Sequence, residues 1–255
     1  MGYLHLRYRV PEVGAVEPKA MAGLYDLVAR TPFVAMAYRQ FIRSALGVGV
    51  MSGAALDIGA GPGYVSMEVV RRRPGLQMVG LDLAGHMVER ARRNAARAGL
   101  DGRIRWVQGD AHQLPFGDGS FQLVMSSFAL HHWSDPARVF NEIARVLAPG
   151  GRYCIADVCR EVSLAQRLFA YASIPVVSLP FGSYGGYGGY YESVRAGYSR
   201  AELREMVSQS DLPAGEVRLD SAWLVPIVSV ASEREKERGR GRPQEDGKRS
   251  GQAEL

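Results

Sequence analysis

Cysteine is scarce: Cys154 and Cys159 are the only two in 255 residues. Two thiols give no disulfide framework and no Cys/His zinc pattern, so both are expected reduced, in or beside a strand. The opening MGYLHLRYRVPEVGAVEPKA contains no apolar core of a secretory leader. The longest apolar run, Leu168 to Phe181, is interrupted by Pro175 and Pro180 and is too short to span a bilayer. A cytoplasmic protein is the expectation. No block of Lys and Arg appears either. The net charge of +5 is scattered, so no nucleic-acid partner is expected. No internal repeat is visible.

What is present is enough apolar sequence, 47% of the chain, to build a sizeable core. Residues 21–46 read as one or two amphipathic helices, with Pro32 as the break. Strand-like and helical runs then alternate. Ala54–Ile58, Gln77–Leu81, Ile104–Gln108, Phe121–Ser126 and Arg152–Val158 read as strands. Tyr64–Arg72 and about 85–98 read as helices. A third helix presents Val139, Phe140, Ile143, Val146 and Leu147 on one face and stops at Pro149-Gly150-Gly151. Ser199 and Glu202 form a Ser-x-x-Glu box that opens a helix to about Ser210. Glu216–Asp220 and Leu224–Ala231 fit an antiparallel hairpin at a sheet edge. The pattern predicts an α/β fold, doubly wound, with a mostly parallel sheet. From Ser232 onward apolar content collapses, and residues 232–255 are expected to be disordered.

The sharpest motif is Leu56-Asp57-Ile58-Gly59-Ala60-Gly61-Pro62-Gly63-Tyr64. Glycines after a first strand let the backbone turn tightly and approach a ligand. A dinucleotide fingerprint needs a further glycine where Tyr64 stands. Pro62 removes an amide that a diphosphate could use. The carboxylate of Asp57 repels a diphosphate and attracts a ligand bearing an ammonium and a sulfonium. Tyr64 and Asp57 disfavour a nicotinamide-dependent oxidoreductase. Asp82 ends the second strand, 19 residues after Gly63, where a ribose acceptor is expected. The plain alternative is a cap for the next helix. Asp110 ends the third strand in Gly109-Asp110-Ala111. Three acids at three adjacent strand ends point to one crevice.

These residues resemble the class I S-adenosylmethionine (SAM)-dependent methyltransferases, in particular the small-molecule branch that includes the ubiquinone/menaquinone enzymes. The likeness covers about residues 20–231. Leu56 to Gly63 is similar to the family's first motif, Gly80-Leu81-Asp82 to its second and Gly109-Asp110-Ala111 to its third. Phe128 to Trp133 and Leu147 to Gly151 resemble the segments after strand four and before strand five. The resemblance implies a Rossmann-like, seven-stranded sheet with an antiparallel C-terminal hairpin. It also implies SAM as cofactor and S-adenosylhomocysteine as product. Asp57, Gly59 and Gly61 would then hold the methionine end, and Asp82 the ribose. Leu83 would lie against adenine, Asp110 would meet its amino group and Ala111 a ring nitrogen. Ser127 would contact the methionine moiety. Gln122 departs from the Asp of many relatives and is expected to act on strand capping.

Methyl transfer from a sulfonium demands alignment more than acid–base help, since positioning supplies effective molarities of roughly 10⁵ M or more. His131 and His132 follow strand four and are the candidate bases; the alternative is that one of them packs under the sheet. Residues 1–46 are expected to form a helical cap, with Tyr25 on the cofactor and Tyr38 beside it. Residues 47–231 form the methyltransferase domain, with a substrate insertion at about 163–198 that carries the aromatic, glycine-rich Gly182–Tyr191. The apolar run beside it points to a hydrophobic or aromatic acceptor, or to contact with a membrane surface. Ser126-Ser127-Phe128-Ala129 lacks the Asn/Asp-Pro-Pro-aromatic motif of base N-methylation. A SAM-binding module without turnover is the competing reading.

Overall fold

The computed structural model describes residues 4–5, 9, 32–178, 190–222 and 225–232. The N-terminal helical reading at 21–31, with Tyr25, lies outside these residues. So do most of the Gly182–Tyr191 segment and the tail beyond Ser232.

A seven-stranded sheet organises the chain. Its strands are β2 (Ser52–Ile58), β3 (Gly75–Asp82), β4 (Ile104–Gln108), β5 (Phe121–Ser127), β6 (Leu147–Val158), β8 (Gly215–Ala222) and β9 (Val225–Ser232). The order is β4-β3-β2-β5-β6-β9-β8, with β1 (Leu4–His5) pairing separately with β7 (Glu161–Val162). β2 to β6 run parallel, and β9 is antiparallel to both β6 and β8. The hairpin is therefore not wholly peripheral. β9 is almost entirely buried, as its run VPIVSVAS allows, whereas β8 carries Glu216, Arg218 and Asp220 and forms the charged outer edge.

Helices cover both faces. α1 (Pro32–Gly47), α2 (Tyr64–Arg72) and α3 (Gly85–Arg97) contribute to one core, through residues such as Phe41, Val69 and Ala91. α4 (Pro136–Val146) and α7 (Arg200–Ser208) contribute to the other. Pro32 opens α1 rather than interrupting a helix, because proline's fixed φ suits the first turn. In α4, Val139, Phe140, Ile143 and Val146 are fully buried. Burial of side chains this size stabilises by about 1.5–3 kcal/mol each. Asp135 caps that helix by accepting from the Arg138 amide. Leu147, read in the sequence as the end of the helix face, is the first residue of β6, and a register shift against Phe121–Leu123 absorbs the Pro149-Gly150 turn. The segment after β7 forms α5 (Leu164–Ser178) and α6 (Tyr190–Ala196), where the sequence shows only an apolar run and a glycine-rich aromatic stretch.

The order in which successive parallel strands are added reverses at β2. β3 and β4 lie on one side of it, and β5 and β6 on the other. A crevice therefore opens at the carboxyl ends of β2 and β5, where open α/β sheets take their ligands.

Candidate cofactor site and active site

The glycine turn leaves β2 at Ile58, whose neighbours in register are Leu81 and Ser126. Its amides are already occupied. Those of Gly59 and Ala60 both donate to the Leu81 carbonyl, at 2.8 and 3.0 Å. Gly61 donates to Asp82 Oδ2 at 2.8 Å, and Gly63 to the Ala60 carbonyl at 3.0 Å. Pro62 has none to give. A diphosphate needs a nest of outward-pointing amides, and residues 59–63 offer no such nest. The turn also requires glycine on steric grounds. Gly63 sits at φ 84°, where a Cβ would come 2.4 Å from the Trp106 ring. Gly59, at φ 71°, faces Ala129 so closely that a Cβ would lie 2.5 Å from that methyl. Ahead of Gly61 the space is open.

Asp57 lies behind this turn and is 1% exposed. The Ser66 hydroxyl donates to its Oδ2, while Oδ1 has no hydrogen-bond partner among the described residues. Burial, opposed in part by Ser66, pushes the carboxyl up to about 7. An orphaned, desolvated carboxylate oxygen is costly and fits a cationic ligand group. Asp82 is mostly buried. Its Oδ1 accepts from the Ala84 amide at 2.9 Å and its Oδ2 from Gly61, so it fastens the turn and also leads into α3. Burial raises its pKa, against the two amide bonds. Leu83 beside it is 47% exposed, an apolar surface at the rim.

The carboxyl end of β4 comes level with β3, and the Gly109 amide donates to the Asp82 carbonyl at 3.0 Å. Asp110 is exposed, and its Oδ1 accepts from the His112 amide (2.9 Å) and ring Nδ1 (2.7 Å). These bonds hold its pKa below the usual carboxylate range. Ala111 is buried behind it. Ser127 ends β5, opposite Ala156. Phe128 follows with φ 55°, a left-handed backbone that is uncommon for a bulky residue and is often found at functional sites. Its amide donates to Ala156 O at 2.8 Å, and its ring centroid lies 5.8 Å from that of Tyr38 in α1.

His131 and His132 occupy a 3-10 turn, Leu130–His132. The rings stack at 3.9 Å between centroids. His131 is buried, and its Nδ1 meets Asp157 Oδ1 at 2.7 Å. The His131 amide also donates to Asp157. Burial, aided by the neighbouring His131, pushes His132 down to about 4. Asp157, on β6, is fully buried and was not singled out in the sequence, although it is the one acid in the apolar run RYCIADV. Arg9 was missed too. It donates to the His131 carbonyl (3.0 Å) and the Ala196 carbonyl (2.8 Å), with its guanidinium 4.3 Å from the Tyr198 ring centroid. Nothing local in the sequence signals that contact.

Comparison with known proteins fits this geometry. The methyltransferase domain family matches residues 56–155. A demethylmenaquinone methyltransferase of Thermus thermophilus is 33% identical over 158 residues, 60% of this chain and 71% of the relative. The chain belongs to the class I SAM-dependent methyltransferases. A ubiquinone/menaquinone biosynthesis C-methyltransferase of Desulfotalea psychrophila is 33% identical over 140 residues, 54% of this methyltransferase and 55% of the relative. Among solved structures, a protein of Methanococcus maripaludis described as an S-adenosyl-L-methionine-dependent methyltransferase superposes with a TM-score of 0.62 at 24% identity. The superposition covers 86% of the methyltransferase and 94% of that chain. The cofactor is SAM. Among the described residues, no helix is long and apolar enough to cross a membrane, and no metal-binding cluster occurs.

Proposed function

We propose that this methyltransferase acts on a small hydrophobic or aromatic acceptor. The observation that carries the reading is the apolar face of the insertion. Leu164, Leu168 and Tyr171 stand 59%, 60% and 40% exposed at successive turns of α5, and Tyr171 stacks on Tyr191 at 4.9 Å. Water-exposed apolar groups at this spacing suit an apolar ligand better than a charged one.

The residues present suit the cofactor. The unpartnered oxygen of Asp57 answers an ammonium group, and Gly59 and Gly61 bring backbone close to the methionine end. Asp82 can exchange its hold on the Gly61 amide for ribose hydroxyls. Exposed Leu83 gains cover from an adenine ring, with Asp110 and Ala111 at its polar edge. Ser127 faces the methionine moiety. Bound SAM supplies a sulfonium methyl that an aligned nucleophile takes by in-line displacement. The chain's own contribution is to align the acceptor, exclude water and, where the acceptor is acidic, take its proton. Asp157 favours His131 over His132 for that last task. A carboxylate at Nδ1 fixes the ring and its tautomer and leaves Nε2 to accept a proton, whereas burial keeps His132 neutral and weakly basic at about 4.

The test is release of S-adenosylhomocysteine with acceptors graded from quinols and phenols to polar amines. Turnover confined to charged, hydrophilic acceptors would refute the reading. His131→Ala is expected to lower kcat by about 10²-fold or more while leaving S-adenosylhomocysteine affinity unchanged. Wild-type kcat in that variant would remove the base.

A further inference from the structure

Asp110 is exposed, and exposed carboxylates on loops ordinarily sample many orientations. This one does not. The His112 amide and the His112 ring both donate to the same oxygen, Oδ1, at 2.9 and 2.7 Å. Among the described residues, Oδ2 accepts no hydrogen bond from the protein. On its far side the imidazole is fixed as well. The Asp135 amide lies 3.2 Å from Nε2, and the Ser134 hydroxyl lies at the same distance. A backbone amide can only donate, so Nε2 is unprotonated and the ring proton sits on Nδ1. Arg138 Nε donates to the His112 carbonyl at 2.8 Å, and Asp135 caps α4 through the Arg138 amide. His112 is therefore a strut of one tautomer between the loop after β4 and the start of α4.

We propose that His112 is the positioning residue of the adenine subsite: by saturating one oxygen of Asp110 it presents the other to the exocyclic amino group of the base. The proposal rests on the reading that Asp110 meets adenine. It goes further in assigning selectivity for a 6-amino over a 6-oxo purine to a residue that need not touch the ligand. A carboxylate accepts from an amino group and repels a carbonyl oxygen. The discrimination is sharp only if the carboxylate cannot swing aside.

Calorimetry with S-adenosylhomocysteine and its deaminated analogue, S-inosylhomocysteine, tests this. Wild type should prefer the adenosyl compound. In His112→Ala the preference should shrink about tenfold, the value of one lost hydrogen bond to a charged group. In His112→Asn the amide nitrogen takes the place of Nδ1, so the preference should hold. In His112→Gln the amide reaches the Nε2 position instead; it can satisfy Asp135 but not Asp110, and the preference should fall. Should His112→Ala fail to fold, the Asn and Gln variants carry the comparison. An unchanged preference in His112→Ala, or equal preferences in the Asn and Gln variants, overturns the proposal. If wild type binds both nucleosides equally tightly, the proposal falls with the role of Asp110, while the methyltransferase site stands. If wild type binds neither, the cofactor-site reading itself falls.

Discussion

Replacing Asp57 by Asn should make the ligand-free protein more stable above neutrality and weaken its grip on S-adenosylhomocysteine. The carboxyl titrates at 3.8 in a solvated reference and at about 7 in the fold, mainly because burial strips its water. Between those values the folded protein keeps a proton that the unfolded chain has released. Stability therefore falls as pH rises from about 4 to 7, and the full cost is present above 7. That cost is roughly 4 kcal/mol once the group is ionised. Asparagine keeps an acceptor for Ser66 and removes the charge. Its amide nitrogen, set where Oδ1 now lies unpartnered, gives back part of the gain. A net gain of about 2 kcal/mol at pH 8 would raise Tm by roughly 4–8 °C in a domain this size. At pH 5 the folded group is neutral but the unfolded one is still mostly ionised, so about 1.6 kcal/mol of the cost remains. The penalty of the buried amide roughly offsets it, and the difference should nearly vanish. Calorimetry should meanwhile show S-adenosylhomocysteine binding weakened by about 10²-fold, as expected for a lost charge-assisted bond to the ammonium. Thermal unfolding with and without ligand at both pH values reads all of this. A variant less stable than wild type at pH 8, or an offset equal at pH 5 and pH 8, would refute the argument.

Two further outcomes concern other residues. Gln122→Ala removes the acceptor for the Ala54 amide, now at 2.7 Å. It should cost about 1 kcal/mol in denaturant unfolding and leave ligand affinity untouched; a large affinity loss would place Gln122 in the site. His132, held at about 4 mainly by burial, stays neutral in the fold while the unfolded chain protonates from about 6.5 downward. Its contribution to stability is lost as pH falls through that window. NMR should show no titration of its ring above pH 5, and a midpoint near 6.5 would contradict the burial.

The sequence by itself determined the sheet and the place of the crevice. The 3.6-residue period of Val139, Phe140, Ile143 and Val146, the glycine turn after Leu56–Ile58 and the acids ending β3 and β4 are local patterns, and a local pattern fixes local structure. The rejection of a diphosphate was partly legible in Pro62 and Tyr64. Tertiary structure completed it by committing the amides of Gly59 and Ala60 to Leu81, and that of Gly61 to Asp82, across 21 residues. Other features depended wholly on packing. Asp157 meets His131 from 26 positions away, and Arg9 reaches the same histidine across 122. Trp106 fills the space that obliges Gly63 to be glycine. Such contacts leave no periodic mark on the chain, because they arise only when separate strand ends are brought level. Solvent exclusion is likewise a property of the assembled fold. The same carboxylate that titrates near 4 in an extended chain titrates near 7 once β2, the turn and α2 close around it.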